Sequence, residues 1–186
     1  HVFDRNANRL DRHVGTVIHL ALELLSQLPE LPVQIPGQLL HRLEQSLKSL
    51  GVWGASLELS MARVQAAVER TINDEKGRWI LSSSHPQAAS EFALTRVVSG
   101  EAMDLVIDRT FVDLDSGERW VIDYKNSAPA EGVSVALFAD GEAKRYSEQL
   151  KAYRDAISKL GPQPVRCALY FTSLGLLHPL PELNSC

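Results

Sequence analysis

The sequence predicts an α/β domain built on a central mixed sheet. Two stretches, residues 11–28 and 141–160, repeat apolar side chains at helical spacing, while residues 91–125 and 165–172 alternate or run apolar and are rich in Val, Ile, Phe and Trp. Their order is the third observation: a helix, a helical interruption, three strands in succession, a helix and a last strand.

Residues 11–28 form the first predicted helix, with Asp11 as a plausible N-cap and Pro29 and Pro32 as stops. Val14, Val17, Ile18, Leu20, Leu22, Leu24 and Leu25 cover nearly every face, which predicts burial, and His19 lies in the middle. A Pro-rich connection, 29–37, leads to a helix around 37–50, broken by Gly51 and Gly54, and to another around 56–73 with a stripe of Leu59, Val64, Ala67, Val68 and Ile72. Residues 37–76 read as a two-helix insertion. Residues 79–81 read as a short extended piece. Strands follow at 91–98, 103–114 and 118–125, and Asp115-Ser116-Gly117 is a hairpin turn, so three successive antiparallel strands are expected. Residues 126–140, with Pro129 and Gly132, read as a loop. The helix over 141–160 carries the stripe Tyr146, Leu150, Tyr153, Ile157, Leu160 and ends at Gly161-Pro162; residues 165–172 are a fourth, buried strand.

With 186 residues and ordinary hydrophobic content, the chain suits one globular domain with its own core. The net charge of -4 weighs against an independent nucleic-acid surface, although a site built from carboxylates contributes to it and a neighbouring domain could supply basic charge. Two cysteines, Cys167 and Cys186, make neither a disulfide framework nor a zinc site, so a reducing compartment is expected. No apolar run is long enough for a membrane span, no signal pattern opens the chain, and the abrupt start at His1 reads as a piece of a longer protein. There is no GxxxxGK[ST] loop, which excludes ATP hydrolysis by that route.

Chemistry concentrates in residues 106–125. Asp123 and Lys125, two apart on a strand, share a face, and Asp108 can sit beside them across the hairpin ladder. Two carboxylates and a lysine together invite a divalent cation, and Mg²⁺ binds through one or two carboxylates plus phosphate oxygens. Lys125 would orient the attacking water or neutralise charge on the phosphoryl oxygens. The plainer reading makes both acids solvated residues of an exposed sheet; the repeated Val-Ile-Asp at 106–108 and 121–123 favours the site. By itself His19 reads as a core histidine; Glu23 reads as a surface acid before a partner of His19, and Glu91 as a solvated strand end before a further acid at the metal centre; Tyr146 and Tyr153 lie on the packing stripe, and Gln149 lies off it.

Four stretches in order carry a resemblance: Gly15-Thr16-Val17-Ile18-His19, Val106-Ile107-Asp108-Arg109-Thr110-Phe111-Val112-Asp113, Trp120-Val121-Ile122-Asp123-Tyr124-Lys125, and Tyr146-Ser147-Glu148-Gln149-Leu150-Lys151-Ala152-Tyr153. They are similar to the GTxxH helix, the first acidic strand, the DYK strand and the YxxQLxxY helix of the RecB-type PD-(D/E)XK nucleases, found at the C-terminus of UvrD/Rep-like helicases related to the exodeoxyribonuclease V beta subunit. Leu169-Tyr170-Phe171 fits the strand that closes that core. The resemblance implies an αβββαβ restriction-endonuclease-like core. It implies a metal held by His19, Asp108, Asp123 and the backbone carbonyl of Tyr124, with Lys125 catalytic and Gln149 and Tyr153 supporting the site or touching DNA. Mg²⁺ is the implied cofactor, with Mn²⁺ able to replace it. The implied activity is exonuclease cleavage of single-stranded DNA delivered by a helicase motor in the same parent chain, in bacterial cytoplasmic double-strand break repair. Asp104 is the reserve for the first acid; Asp108, 15 residues before Asp123, suits the hairpin better than Asp104, 19 before it. Asn126 departs from the family's usual threonine. A non-catalytic DNA-guiding or helicase-docking module is the alternative, and a protein-interaction domain the third reading.

Overall fold

The computed structural model describes the backbone of residues 2–183 and side chains from residue 9 onward, Val98 excepted. The order is α1 (Val2–Ser26), α2 (Gly37–Ser49), α3 (Gly54–Asn73), α4 (Glu75–Leu81), β1 (Ala89–Val98), β2 (Glu101–Val112), β3 (Arg119–Lys125), α5 (Val135–Ile157), β4 (Val165–Phe171) and β5 (Leu176–Pro179), then a 3-10 turn, Pro181–Leu183. The sheet runs β1-β2-β3-β4-β5; only β3 and β4 are parallel, because α5 crosses between them, and α1, β1–β3, α5 and β4 follow the expected αβββαβ order. No helix among the described residues is long and apolar enough to cross a membrane.

Each face of the sheet has its own core. Ile122, Tyr124, Ala168 and Tyr170 pack against α1–α4, and Val121, Cys167, Leu169 and Phe171 pack against α5. Strand parity accounts for the division on β3 and β4. Arg109, 2 % exposed, ties α4 to β2: its guanidinium donates to Ile80 O at 2.9 Å and Ser82 O at 2.8 Å. Replacing Arg109 by Leu leaves both carbonyls short of a donor and should cost about 2–5 kcal/mol, measured as a lower urea midpoint; an unchanged midpoint would contradict this role.

Several expectations are corrected. Asp11 does not cap α1, which begins upstream; it sits inside the helix, exposed, 2.7 Å from Arg63. Residues 79–81 are the end of α4, not extended. Asp74 caps that helix by accepting from Gly77 N–H at 2.8 Å, and a Cβ on Gly77 would lie 2.1 Å from Thr71 O, so a cap and a close approach decide what three apolar residues could not. The second half of the expected 126–140 loop is helical, since Ser134 caps α5 by accepting from Leu137 N–H. Leu59 and Leu160, placed on buried stripes, are exposed, and α5 ends at Ile157. The fifth strand was not anticipated. Cys186 lies outside the described residues.

The β1–β2 pair changes faces midway. Ser90 and Arg109 are register partners on the α1–α4 side, where Ser90 Oγ meets Ser26 Oγ at 2.9 Å. Two residues on, alternation would keep Phe92 and Ile107 there, yet both pack in the α5-side core. The break falls at Glu91, whose φ is +49°, and at Asp108 opposite it, where the regular ladder skips one pair. A non-glycine residue in the left-handed region is strained backbone, a feature that clusters at functional sites.

Candidate active site

The site forms where β2 and β3 part. Their ladder runs to Arg109↔Ile122, so the Tyr124 amide has no strand partner on that side and donates instead to Asp108 Oδ2 at 2.7 Å. His19 arrives from the middle of α1, its Nδ1 3.6 Å from Asp108 Oδ1 and 4.0 Å from Glu91 Oε1, and its ring stands edge-on to Tyr124 with centroids 5.6 Å apart. Ligand atoms of His19, Glu91 and Asp108 all lie within 4.8 Å of one another. Asp123, 2 % exposed, is held by Lys125 Nζ at 2.6 Å from Oδ2 and by Gln149 Nε2, which donates to Oδ1 at 3.2 Å. Gln149 also donates to Tyr153 Oη at 2.7 Å.

The electrostatics follow from crowding of like charge in a dry place. Burial first, and then the Asp123 charge, push the Asp108 carboxyl up to about 8, although the Tyr124 amide works the other way. Burial lowers the His19 imidazole below its ordinary value against the pull of Glu91 and Asp123, and the Tyr124 backbone, hydrogen-bonded to the ring, also favours the charged form. Burial raises Glu91. A neutral imidazole beside crowded carboxylates that resist ionising suits a divalent cation, whose charge removes the repulsion and whose preference is for such oxygen and nitrogen donors. The residues present therefore fit the metal: His19, Glu91 and Asp108 would hold it, with Asp123 alongside.

Each candidate site residue named from the sequence lies among the described residues. His19, Asp108, Tyr124, Asp123, Lys125, Gln149 and Tyr153 form one connected group. Asp104 lies outside it, paired in register with Thr95, whose hydroxyl donates to its carboxylate at 2.8 Å. Glu23 stays at one remove, acting on Glu91 by charge alone. Asn126 lies against Gly15, where an added Cβ would come 3.5 Å from its Nδ2, which joins the GTxxH helix to the strand end.

Two participants are ones the sequence alone assigns to other duties, Glu91 to a solvated strand end and Tyr146 to packing. Glu91 joins the ligand cluster because its backbone turns at positive φ; its only signal is an acid on the strand that pairs with Asp108. Tyr146 lies under Lys125, with Nζ 3.7 Å from the ring centroid, so its ring holds the ammonium as well as packing. Tyr146→Leu should lower kcat by about 3- to 30-fold, the equivalent of a cation–π contact of ~0.5–2 kcal/mol, with little change in KM and recovery in Tyr146→Phe. Equal losses in the Leu and Phe variants would contradict it.

Fold and site define a class: an α/β domain of the restriction-endonuclease type with an imidazole, carboxylates and a lysine gathered where its central strands part. The chain belongs to the PD-(D/E)XK nuclease superfamily, whose family model matches residues 2–181. The superfamily is one of nucleases. Comparison with curated proteins finds no match. Among solved structures the chain is similar to protein VC1899 from Vibrio cholerae, at 13% identity and TM-score 0.31, over 90% of this chain and 43% of that one. The chain thus spans under half of that protein's length, and a likeness so distant carries no argument.

Proposed function

We propose that this chain is a Mg²⁺-dependent deoxyribonuclease, with Mn²⁺ able to replace Mg²⁺, of the RecB-like branch and of exonuclease type. The observation that supports it best is the convergence of His19, Glu91 and Asp108 within 4.8 Å beside the Lys125–Asp123 pair. His19, Asp108, Asp123 and the Tyr124 carbonyl are the proposed ligands, and Glu91 joins them. A bound divalent cation supplies a lowered pKa for a coordinated water and polarisation of the phosphodiester. Lys125 presents its ammonium to charge developing on the phosphoryl oxygens, and Tyr146 keeps it there. Gln149, itself held by Tyr153, fixes the rotation of the Asp123 carboxylate. Burial of Asp123 and its neighbours keeps bulk water from screening these charges.

We read α2 and α3 as the helical insertion of a single nuclease domain, 37–76, and the chain as the nuclease end of a bacterial cytoplasmic helicase-nuclease that receives single-stranded DNA during double-strand break repair. One rival is a non-catalytic DNA-guiding or helicase-docking module, and the net charge of -4 weighs against its guiding form. Calorimetric titration of Mn²⁺ or Mg²⁺ into wild type, Asp108→Ala and Asp123→Ala, followed by a single-stranded DNA cleavage assay, separates the two. The nuclease reading expects binding and cleavage that both substitutions remove. Wild-type protein that binds no metal, even with an oligonucleotide present, would leave the rival.

A further inference from the structure

The sheet end that carries Lys125 adjoins a cavity of about 200 Å³ lined by Val14, Ile18, Arg63, Arg70, Asn126 and Ser173. It touches the site at two points: Asn126 follows Lys125 on the chain, and Ile18 precedes His19. Its α1 wall is apolar, and its hydrogen-bond donors come from α3 and the strand end. Arg70 forms no ion pair or hydrogen bond among the described residues, and the Asn126 carboxamide has no hydrogen-bond partner among them. Arg63 is engaged by Asp11 at 2.7 Å, but both groups are open to solvent and such pairs exchange at little cost. Ser173 donates to Ser127 O at 2.9 Å and so ties the two loops that form the rim. A water's share of liquid volume is about 30 Å³, so the space holds a phosphate group with several waters.

We infer that this cavity binds a backbone phosphate of a nucleic-acid strand, a neighbour of the one being cut, through Arg70, Arg63 and the Asn126 amide. The inference rests on the nuclease reading for its substrate, and assigns α3 a part in holding it. In a chain of net negative charge, two arginines on one wall beside the catalytic cluster match a phosphate in charge, and the guanidinium fork matches its oxygens in shape. Arg63 would leave Asp11 for the phosphate, so Asp11 acts as a competitor for the site.

The test is binding of a fluorescent oligothymidylate to the full chain without added metal, across a salt series. Arg70→Gln keeps the Cγ methylene that runs past Gly175 while removing the charge. It should weaken binding by on the order of 5–10-fold and reduce the slope of log affinity against log salt by about 0.7, the value for one phosphate contact to a single strand. Asp11→Asn should do the opposite and tighten binding by freeing Arg63. Lys159→Gln and Asp115→Asn, both exposed at the opposite end of β3, match these changes in charge, and each should move affinity less than its partner. The proposal is overturned if Arg70→Gln behaves like Lys159→Gln, if Asp11→Asn is no tighter than Asp115→Asn, or if wild type does not bind the oligonucleotide at any salt. The two readings fail separately. The expected binding pattern without metal binding or cleavage would remove the nuclease reading alone; cleavage with the same KM in the Arg70 and Lys159 variants would remove the subsite alone.

Discussion

Lys125→Ala should reduce DNA cleavage by about 10²–10³-fold, the loss typical when one group aimed at transition-state charge is removed. The ammonium sits between Asp123 Oδ2, at 2.6 Å, and the Tyr146 ring, so two groups hold it in place. Metal affinity should be unchanged or slightly higher, because the substitution removes positive charge beside the carboxylates. The combination distinguishes a catalytic lysine from a structural one: a folding defect would lower both. Single-turnover cleavage with metal saturating, together with the Mn²⁺ titration, reads the two quantities. Lys125→Ala protein that cuts as wild type does would end the mechanism proposed for this chain.

The second large effect concerns Asp108, where function and stability oppose each other. Its folded-state pKa of about 8 lies above the ~4 of an unfolded aspartate, so the folded chain holds a proton that the unfolded chain releases. Stability from this group is fully present below about pH 4 and is lost as pH rises through about 8. Metal-free Asp108→Asn keeps an oxygen to accept from Tyr124 N–H and cannot ionise. It should therefore melt several degrees above wild type at pH 8.5, with ~2–4 °C for each kcal/mol in a domain of this size, and the two should converge near pH 4. Saturating Mg²⁺ should reverse the order at pH 8.5, because wild type gains stability by binding and the variant does not. Thermal melts with and without metal at the two pH values decide it; a variant less stable than metal-free wild type at both would show that Asp108 is not a strained, charge-crowded acid.

Much of the scaffold was legible because its signals are local. The period of α1, the alternation of β2 and β3 and the turn between them depend on residues a few positions apart. Strand parity alone put Asp123 and Lys125 on one face, and in the fold they meet. The errors arose where the deciding contact is distant or small: the Asp74 cap and the bare Gly77 that make 79–81 helical, and Ser134, which starts α5 about three turns before the stripe that begins at Tyr146. The fifth strand is four residues long, too short for its alternation to register.

The site divides in the same way. By itself the sequence determined the order of the elements and which residue types stand at the strand ends, since both follow from chain periodicity and ordered motifs. Only the tertiary structure decided which groups converge. Glu91 and Asp108 meet His19 because two paired strands exchange faces at one register position, and no pattern along either strand records that exchange. Tyr146 reaches Lys125 because the α5 crossover lays one turn of helix over the end of β3. Arg63 and Arg70 share a cavity with Ile18 and Asn126 because α3 packs on α1. Each depends on residues brought together from far apart in the chain, where the energy of packing and desolvated charge, not local propensity, sets the geometry.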